Sequence, residues 1–181
     1  MKQEAWFDRT FDLTVPITRF PSILERLRGT PPRLEERTSS LPPAVLTQRH
    51  DNRWSIQENV GHLLDLEPLC FQRTEQLFTG DKELVTADLT NRRTHEAHHN
   101  DRNLTDLLRD FRAARTQLVC RLAQADDGVL GHSAIHPRLR TPMRLVDLAL
   151  FIAEHDDHHL ATIAALLGSS PRDGVCGLTS A

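Results

Sequence analysis

The stripe Leu145, Leu148, Ile152, His155, His159, Ile163, Leu166 constrains this chain more than any other feature. Its spacing of three and four residues is that of the buried face of a helix. Yet two consecutive inward slots carry imidazoles. Burying an unpartnered polar group costs free energy, so a helix that turns two histidines into its core needs something there to satisfy them. Residues i and i+4 are neighbours on one helix face, so both rings can reach one point. Two neutral nitrogen donors meeting at a point are part of a metal site. The competing explanation is a pair of core histidines bonded to each other.

A catalytic metal site takes about three protein ligands and leaves one position open, so a third ligand must come from another helix. The candidate is His62, in Gly61-His62-Leu63-Leu64-Asp65. Leu66 and Leu69 follow it at i+4 and i+7 and share its inward stripe. Asp65 either supports His62 or pairs with an arginine. Glu58, one turn before His62, is the candidate catalytic base, although the capping box Ser55-Ile56-Gln57-Glu58 explains it fully. His158 is expected to form a surface pair with Glu154. Asp156 and Asp157 are expected to point away from the stripe, with an outer role on a ligand imidazole as the other reading. His95, His98 and His99 have polar flanks and read as a solvated loop or helix face, with site lining as the other reading. His132 and His136 read as loop histidines, with His136 alternatively closing over the mouth of the bundle.

The rest of the chain reads as helices. Phe20 to Leu27 predicts a first helix, broken by Pro16, Pro21, Pro31, Pro32, Pro42 and Pro43 and followed by an irregular connection. A second starts at the Ser55 cap and stops at Gly80, with Pro68 kinking it. Residues 81–102 are polar and predict a connection with a short helix. A third starts at Asn103 and ends by Asp126-Asp127-Gly128. Thr141-Pro142 predicts the start of the last helix, which stops at Gly168. Period-two β-branched runs are absent, so no strand is expected. The expectation is an all-α four-helix bundle as a single domain over residues 1–168, with a loose tail over 169–181.

Composition removes several functions. A net charge of −3 with no basic stripe argues against nucleic acid. No apolar run reaches the roughly 18–20 residues that span a membrane, and the N-terminus has no signal-peptide pattern, so a cytoplasmic location is expected. Cys70, Cys120 and Cys176 lack paired spacing and are expected to be reduced, mostly buried thiols. The chain contains no Tyr, no Gly-rich phosphate loop and no G-x-S-x-G turn.

Trp54-Ser55-Ile56-Gln57-Glu58-Asn59-Val60-Gly61-His62-Leu63 followed by Asp65 resembles the second-helix signature of the DinB/YfiT-like superfamily. His136-Pro137, then Glu154-His155-Asp156-Asp157-His158-His159-Leu160-Ala161-Thr162-Ile163, resembles its last-helix signature. The resemblance implies an up-down-down-up four-helix bundle of DinB/YfiT-like type, often a homodimer. It also implies one divalent metal ion, zinc, nickel or iron, held by three histidines that map onto His62, His155 and His159. Those are the residues that helical phase selects. The activities it implies include S-transfer from a low-molecular-weight thiol such as bacillithiol, mycothiol or glutathione, and maleylpyruvate-isomerase-like chemistry on a small-molecule substrate. Hydrolysis of a small amide or ester uses the same site. Arg92, Arg93 and Arg138 are candidates for binding an anionic thiol. The alternatives are a non-catalytic metal-binding stress-response homodimer and a purely structural bundle without metal.

Overall fold

A computed structural model describes residues 3–51 and 53–169. Cys176 and all but the first residue of the expected tail lie outside the described residues. Seven helices follow one another: α1 (Phe20–Thr38), α2 (Pro43–Thr47), α3 (Ile56–Thr79), α4 (Arg92–Glu96), α5 (Leu104–Leu122), α6 (Asp127–Gly131) and α7 (Leu145–Ser169). Short 3-10 turns cover Trp6–Asp8, Ile17–Arg19 and His99–Asp101. Two three-residue strands, β1 (Ser133–Ile135) and β2 (Pro142–Arg144), pair antiparallel. None of the described helices is long and apolar enough to cross a membrane.

The four long helices form the bundle. The main packing pairs are α3 with α5, α1 with α7, α1 with α5, and α3 with α7, so α1 and α3 sit on opposite corners although they are the first two in sequence. Their directions follow from paired residues. Arg115 meets Glu67 and Arg121 meets Glu75, so α3 and α5 run parallel. Arg26 meets Glu154 and Arg33 meets Asp157, so α1 and α7 run parallel. Asn59 meets His159 while His62 faces His155, so α3 and α7 are antiparallel. This is the up-down-down-up order, and it requires the long connection over 80–103 to carry the chain back along the bundle.

Local chemistry explains the helix ends. The Ser55 hydroxyl accepts from the Glu58 amide at 3.1 Å and the Glu58 carboxylate accepts from the Ser55 amide at 2.9 Å, which completes the capping box. Gly80 ends α3 at φ 80°, a left-handed conformation that a residue without Cβ adopts cheaply. Asn103 caps α5 through the Thr105 amide, and Asp126 caps α6 through the Val129 amide.

Several sequence expectations are overturned, the first being that no strand forms, since β1 and β2 pair. The first helix is unbroken through Pro31 and Pro32. A proline leaves the carbonyl four residues earlier without its helical donor. Here the buried Leu27 carbonyl accepts instead from Arg115 Nη1 at 3.4 Å, and Arg28, the other deprived position, is exposed to water. The last helix starts at Leu145 rather than Thr141, because Pro142–Arg144 pairs with Ser133–Ile135 as a hairpin. Asp147 closes the start of α7 by accepting from the Arg144 amide at 3.1 Å. Arg140, at φ 56°, turns the chain between the strands.

The core is two apolar clusters with a polar layer between them. One cluster gathers Ile23, Leu27, Leu77, Leu118, Leu122 and Leu148 with their neighbours. The other gathers Leu34, Val60, Leu63, Leu107, Phe111 and Ile163. Between them Arg115 bridges Glu67 and Asp156, each of the three at most 3 % exposed. Arg115 Nη2 donates to Glu67 at 2.5 Å and to the second Asp156 oxygen at 3.0 Å, and Nη1 bonds Asp156 as well. The Thr30 hydroxyl adds a bond to Asp156 at 2.7 Å. Asp156 therefore points inward, against the expectation that it faces away. Asp157 does face the surface, where Arg26 and Arg33 hold it.

Candidate metal centre

On α3 and α7 the three predicted histidines converge. One ligand nitrogen from each of His62, His155 and His159 lies within 4.8 Å of the others. His62 is 4 % exposed and His159 7 % exposed, while His155 is half-buried. The rings of His155 and His159 are 4.6 Å apart between centroids, and their Nε2 atoms are 3.3 Å apart. Two imidazole nitrogens at that distance share one proton or point their lone pairs at a common electrophile.

The outer nitrogens fix two of the three tautomers. Asn59 Nδ2 donates to the Ser55 carbonyl at 2.8 Å, which leaves Oδ1 as the atom facing His159 Nδ1 at 2.8 Å. An amide oxygen only accepts, so His159 carries its proton on Nδ1 and its Nε2 lone pair faces His155. The His62 Nδ1 lies 3.0 Å from the Thr94 hydroxyl, and that hydroxyl serves Asp65 as a donor. An oxygen whose proton goes to Asp65 accepts from His62, so His62 Nε2 is bare as well. Partners that fix the tautomer of each ring from outside are characteristic of metal-binding histidines. Burial, more than any charge, pushes His62 down to about 4, with the neighbouring histidines adding to it against the opposing pull of Asp65. Burial and mutual repulsion push His155 and His159 well below the ordinary histidine value. All three are neutral at pH 7, and a neutral lone pair is what a divalent cation binds. The donor set fits a three-histidine ion site.

The cluster opens on a cavity of about 920 Å³. Trp54 covers one side, its ring 4.6 Å from that of His62. Trp6 covers the other, 4.9 Å from His155 in an edge-on arrangement. Gln3 anchors this N-terminal segment by bonding the His158 ring and carbonyl, both at 2.9 Å. The sequence expectation for His158 therefore fails: its partner is Gln3, and Glu154 pairs with Arg26 at 2.8 Å. Trp6 carried no signal in the helical pattern, because it belongs to none of the long helices.

The structure does not bring Glu58 to the cluster. Its Oε2 accepts from the Ser55 amide and from Arg49 Nε at 2.8 Å, and its Oε1 bonds Arg49 Nη2. Burial alone raises the Glu58 carboxyl, but Arg49 and Ser55 together hold it below the usual carboxylate value. Among the carboxyl residues lining the cavity, Glu67 and Asp156 are buried, and Glu67 has an unpaired oxygen, Oε2. Burial pushes the Glu67 carboxyl up despite Arg115.

His99 corrects another expectation. His95 and His98 are exposed as expected, but His99 is buried and its Nε2 donates to Asp65 at 2.8 Å. It fits because residue 61 is glycine: a Cβ there would lie 2.2 Å from the His99 ring. Gly61 next to His62 was the available signal. Gly61→Ala is expected to displace His99 and destabilise the fold by about 1–3 kcal/mol as overpacking, read from the urea midpoint; an unchanged midpoint would show that the ring moves aside freely. Asp65 takes the second of its two expected roles, since Arg93 approaches it at 3.4 Å, and it reaches His62 only through the Thr94 hydroxyl. His136 is buried against Phe151 at the cavity wall and is no plain loop residue. Cys70 also lines the cavity, but burial pushes its thiol up to about 12, so it supplies no thiolate at neutral pH. Cys120 is exposed, contrary to the buried thiol expected.

The sequence profile of the DinB superfamily matches residues 26–163. No curated protein matches the chain. YfiT from Bacillus subtilis, described as a probable metal-dependent hydrolase with an unusual four-helix bundle topology, superposes with a TM-score of 0.75 at 17% identity, covering 87% of this chain and 91% of that one. The mycothiol-dependent maleylpyruvate isomerase superposes with a TM-score of 0.66 at 10–11% identity. It covers 86% of this chain, which spans 63% of that longer protein.

Proposed function

This chain belongs to the DinB superfamily, and from that premise we propose that it is a metal-dependent enzyme that joins a low-molecular-weight thiol to an electrophilic small molecule. One observation carries the proposal: three neutral imidazoles, two with their tautomers fixed by Asn59 and Thr94, converge within 4.8 Å on the wall of a large cavity. His62, His155 and His159 would hold zinc, nickel or iron. A divalent ion in such a site supplies Lewis-acid chemistry, lowering the pKa of a thiol or water at its open position.

The chain's own residues supply the rest. Asn59 and Thr94 hold the rings in orientation. Trp6 and Trp54 wall the site from bulk water, which strengthens the electrostatics inside. Glu67, which lines the cavity and has one carboxylate oxygen unpaired, is the candidate to take a proton from the incoming nucleophile. Cys70 remains a neutral thiol, so the nucleophile comes from outside the chain. The cavity of about 920 Å³ is at the upper end for small-molecule sites and has room for a thiol and an electrophile together, which favours transfer over hydrolysis of a small ester. The same assignment includes a homodimer in the cytoplasm.

The test uses full-length protein stripped with chelator and reconstituted with one metal at a time. About one ion per chain is expected by elemental analysis, with metal-dependent loss of free thiol in the presence of a chlorodinitrobenzene electrophile. Metal without turnover leaves the non-catalytic metal-binding homodimer. Absence of metal after reconstitution sinks the enzyme assignment.

A further inference from the structure

The β1–β2 hairpin brings a cationic wall to the cavity that no part of the metal site uses. Arg73, on α3, is 5 % exposed. Its Nε and Nη2 donate to the Val85 carbonyl at 3.0 and 2.9 Å, and its Nη1 lies 3.2 Å from His136 Nε2. Arg138, in the hairpin turn, lies over the rings of Phe7 and Phe151 at 5.3 and 5.9 Å. Its Nη2 is buried without any acceptor. Among the described residues no carboxylate charge acts on either guanidinium. Two arginines beside one cavity without a counter-charge are costly.

The wall is also short of acceptors. The Leu139 amide points at His136 Nδ1 at 3.2 Å while Arg73 points at Nε2. A neutral imidazole has only one ring nitrogen able to accept, and burial with the two arginine charges pushes His136 down to about 4, which keeps it neutral. One of those two donors therefore lacks an acceptor, in addition to Arg138 Nη2. Phe151 connects this wall to the metal centre: it is one helical turn before His155, and its ring packs against both His136 and Trp6.

We propose that Arg138, backed by Arg73, binds a carboxylate of the small molecule that the cavity takes, with that molecule's body lying along Phe151 and its reacting end at the histidines. A guanidinium edge with a free N–H between aromatic faces suits a planar monoanion. A phosphate, with three oxygens and more charge, would need more free donors than the wall offers. This rests on the reading of the cavity as the substrate site, but not on the presence of a metal.

The experiment titrates the full chain with benzoate and with succinate at constant ionic strength, and with inorganic phosphate as a comparison. Trp6 and Trp54, both in the cavity wall, report binding by fluorescence. At least one carboxylate is expected to saturate the signal, equally in metal-free and metal-loaded protein, and Arg138→Gln is expected to weaken it by about tenfold or more, the scale of one charge-assisted bond. Arg138→Lys, which keeps the charge, restores part of the loss and stands in for the Gln variant if that fails to fold. Binding that requires the metal and ignores Arg138 overturns the proposal, as does tighter binding of phosphate or no saturable binding by either carboxylate. Failure of the metal assignment leaves the metal-free titration unaffected, so the two can fail separately.

Discussion

His159→Ala is expected to take the metal content from about one ion per chain to about a tenth of that or less, since two remaining imidazoles are too few for a stable site. The same loss is expected for His62→Ala and His155→Ala, whereas His98→Ala, on the exposed side of the connection, keeps the ion. Asn59→Leu gives the graded version. It removes the acceptor on His159 Nδ1 without touching a ligand and should weaken the metal by about 10–100-fold, the usual scale for an outer partner. Elemental analysis reads the first set, and competition with a chromophoric chelator reads the second. Full retention of the ion in His159→Ala would falsify the ligand assignment. The pH dependence has a fixed sign. The folded-state value of His62 is about 4, below the roughly 6.5 of an unfolded histidine, so between these values the unfolded chain binds more protons. The metal-free protein should therefore lose stability as pH falls from about 6.5 towards 4, and denaturant midpoints across that window check it. His136, also pushed to about 4, contributes in the same direction.

The second large effect is on stability. Arg115→Leu is expected to destabilise the fold by about 3–5 kcal/mol, the cost of leaving buried charges uncompensated. Glu67 would keep no cationic partner, and Asp156 would keep only the Thr30 hydroxyl. The Leu27 carbonyl, which Pro31 deprives of its helical donor, would also lose the N–H that Arg115 donates to it. Glu67, already raised by burial, would rise further without the opposing Arg115 charge. A carboxyl with a raised folded-state value is least costly when protonated, so the variant should recover part of its deficit as pH falls towards the ordinary carboxylate value. Urea melts at pH 7 and pH 5 measure this. A loss under about 1 kcal/mol, typical of exposed ion pairs, would mean that water reaches the triad.

Glu67→Gln separates the two roles of that residue. It keeps the shape and one acceptor for Arg115 while removing the proton-accepting oxygen. Little change in metal content with a fall in turnover is the expected result; equal turnover would leave Glu67 as part of the fold alone.

Much of this was legible in the chain. Helical period placed His155 and His159 inward, because the 3.6-residue repeat fixes which side chains share a face, and the same repeat aligned His62 with Leu66 and Leu69. The Ser55 capping box and the Asn103 cap set two helix starts, since their bonds span only two or three residues. Arg115 was legible too, since Phe111, Arg115, Leu118 and Leu122 share the helical period, yet a charge in a core slot makes sense only when its partners on other helices are known. What the sequence determined by itself is what depends on neighbours within one turn: the helices, their inward faces and the three ligand candidates. The tertiary structure decided the rest. It kept α1 whole across Pro31 and Pro32 through a guanidinium more than eighty residues away, buried His99 against Gly61, folded 133–144 into the hairpin that carries His136 and Arg138, and placed Trp6 on His155. Apart from the hairpin, whose strands lie within a dozen residues of each other, each of these joins segments distant in sequence, where no local period or cap relates the partners, and only the packing of the bundle brings them within bonding distance.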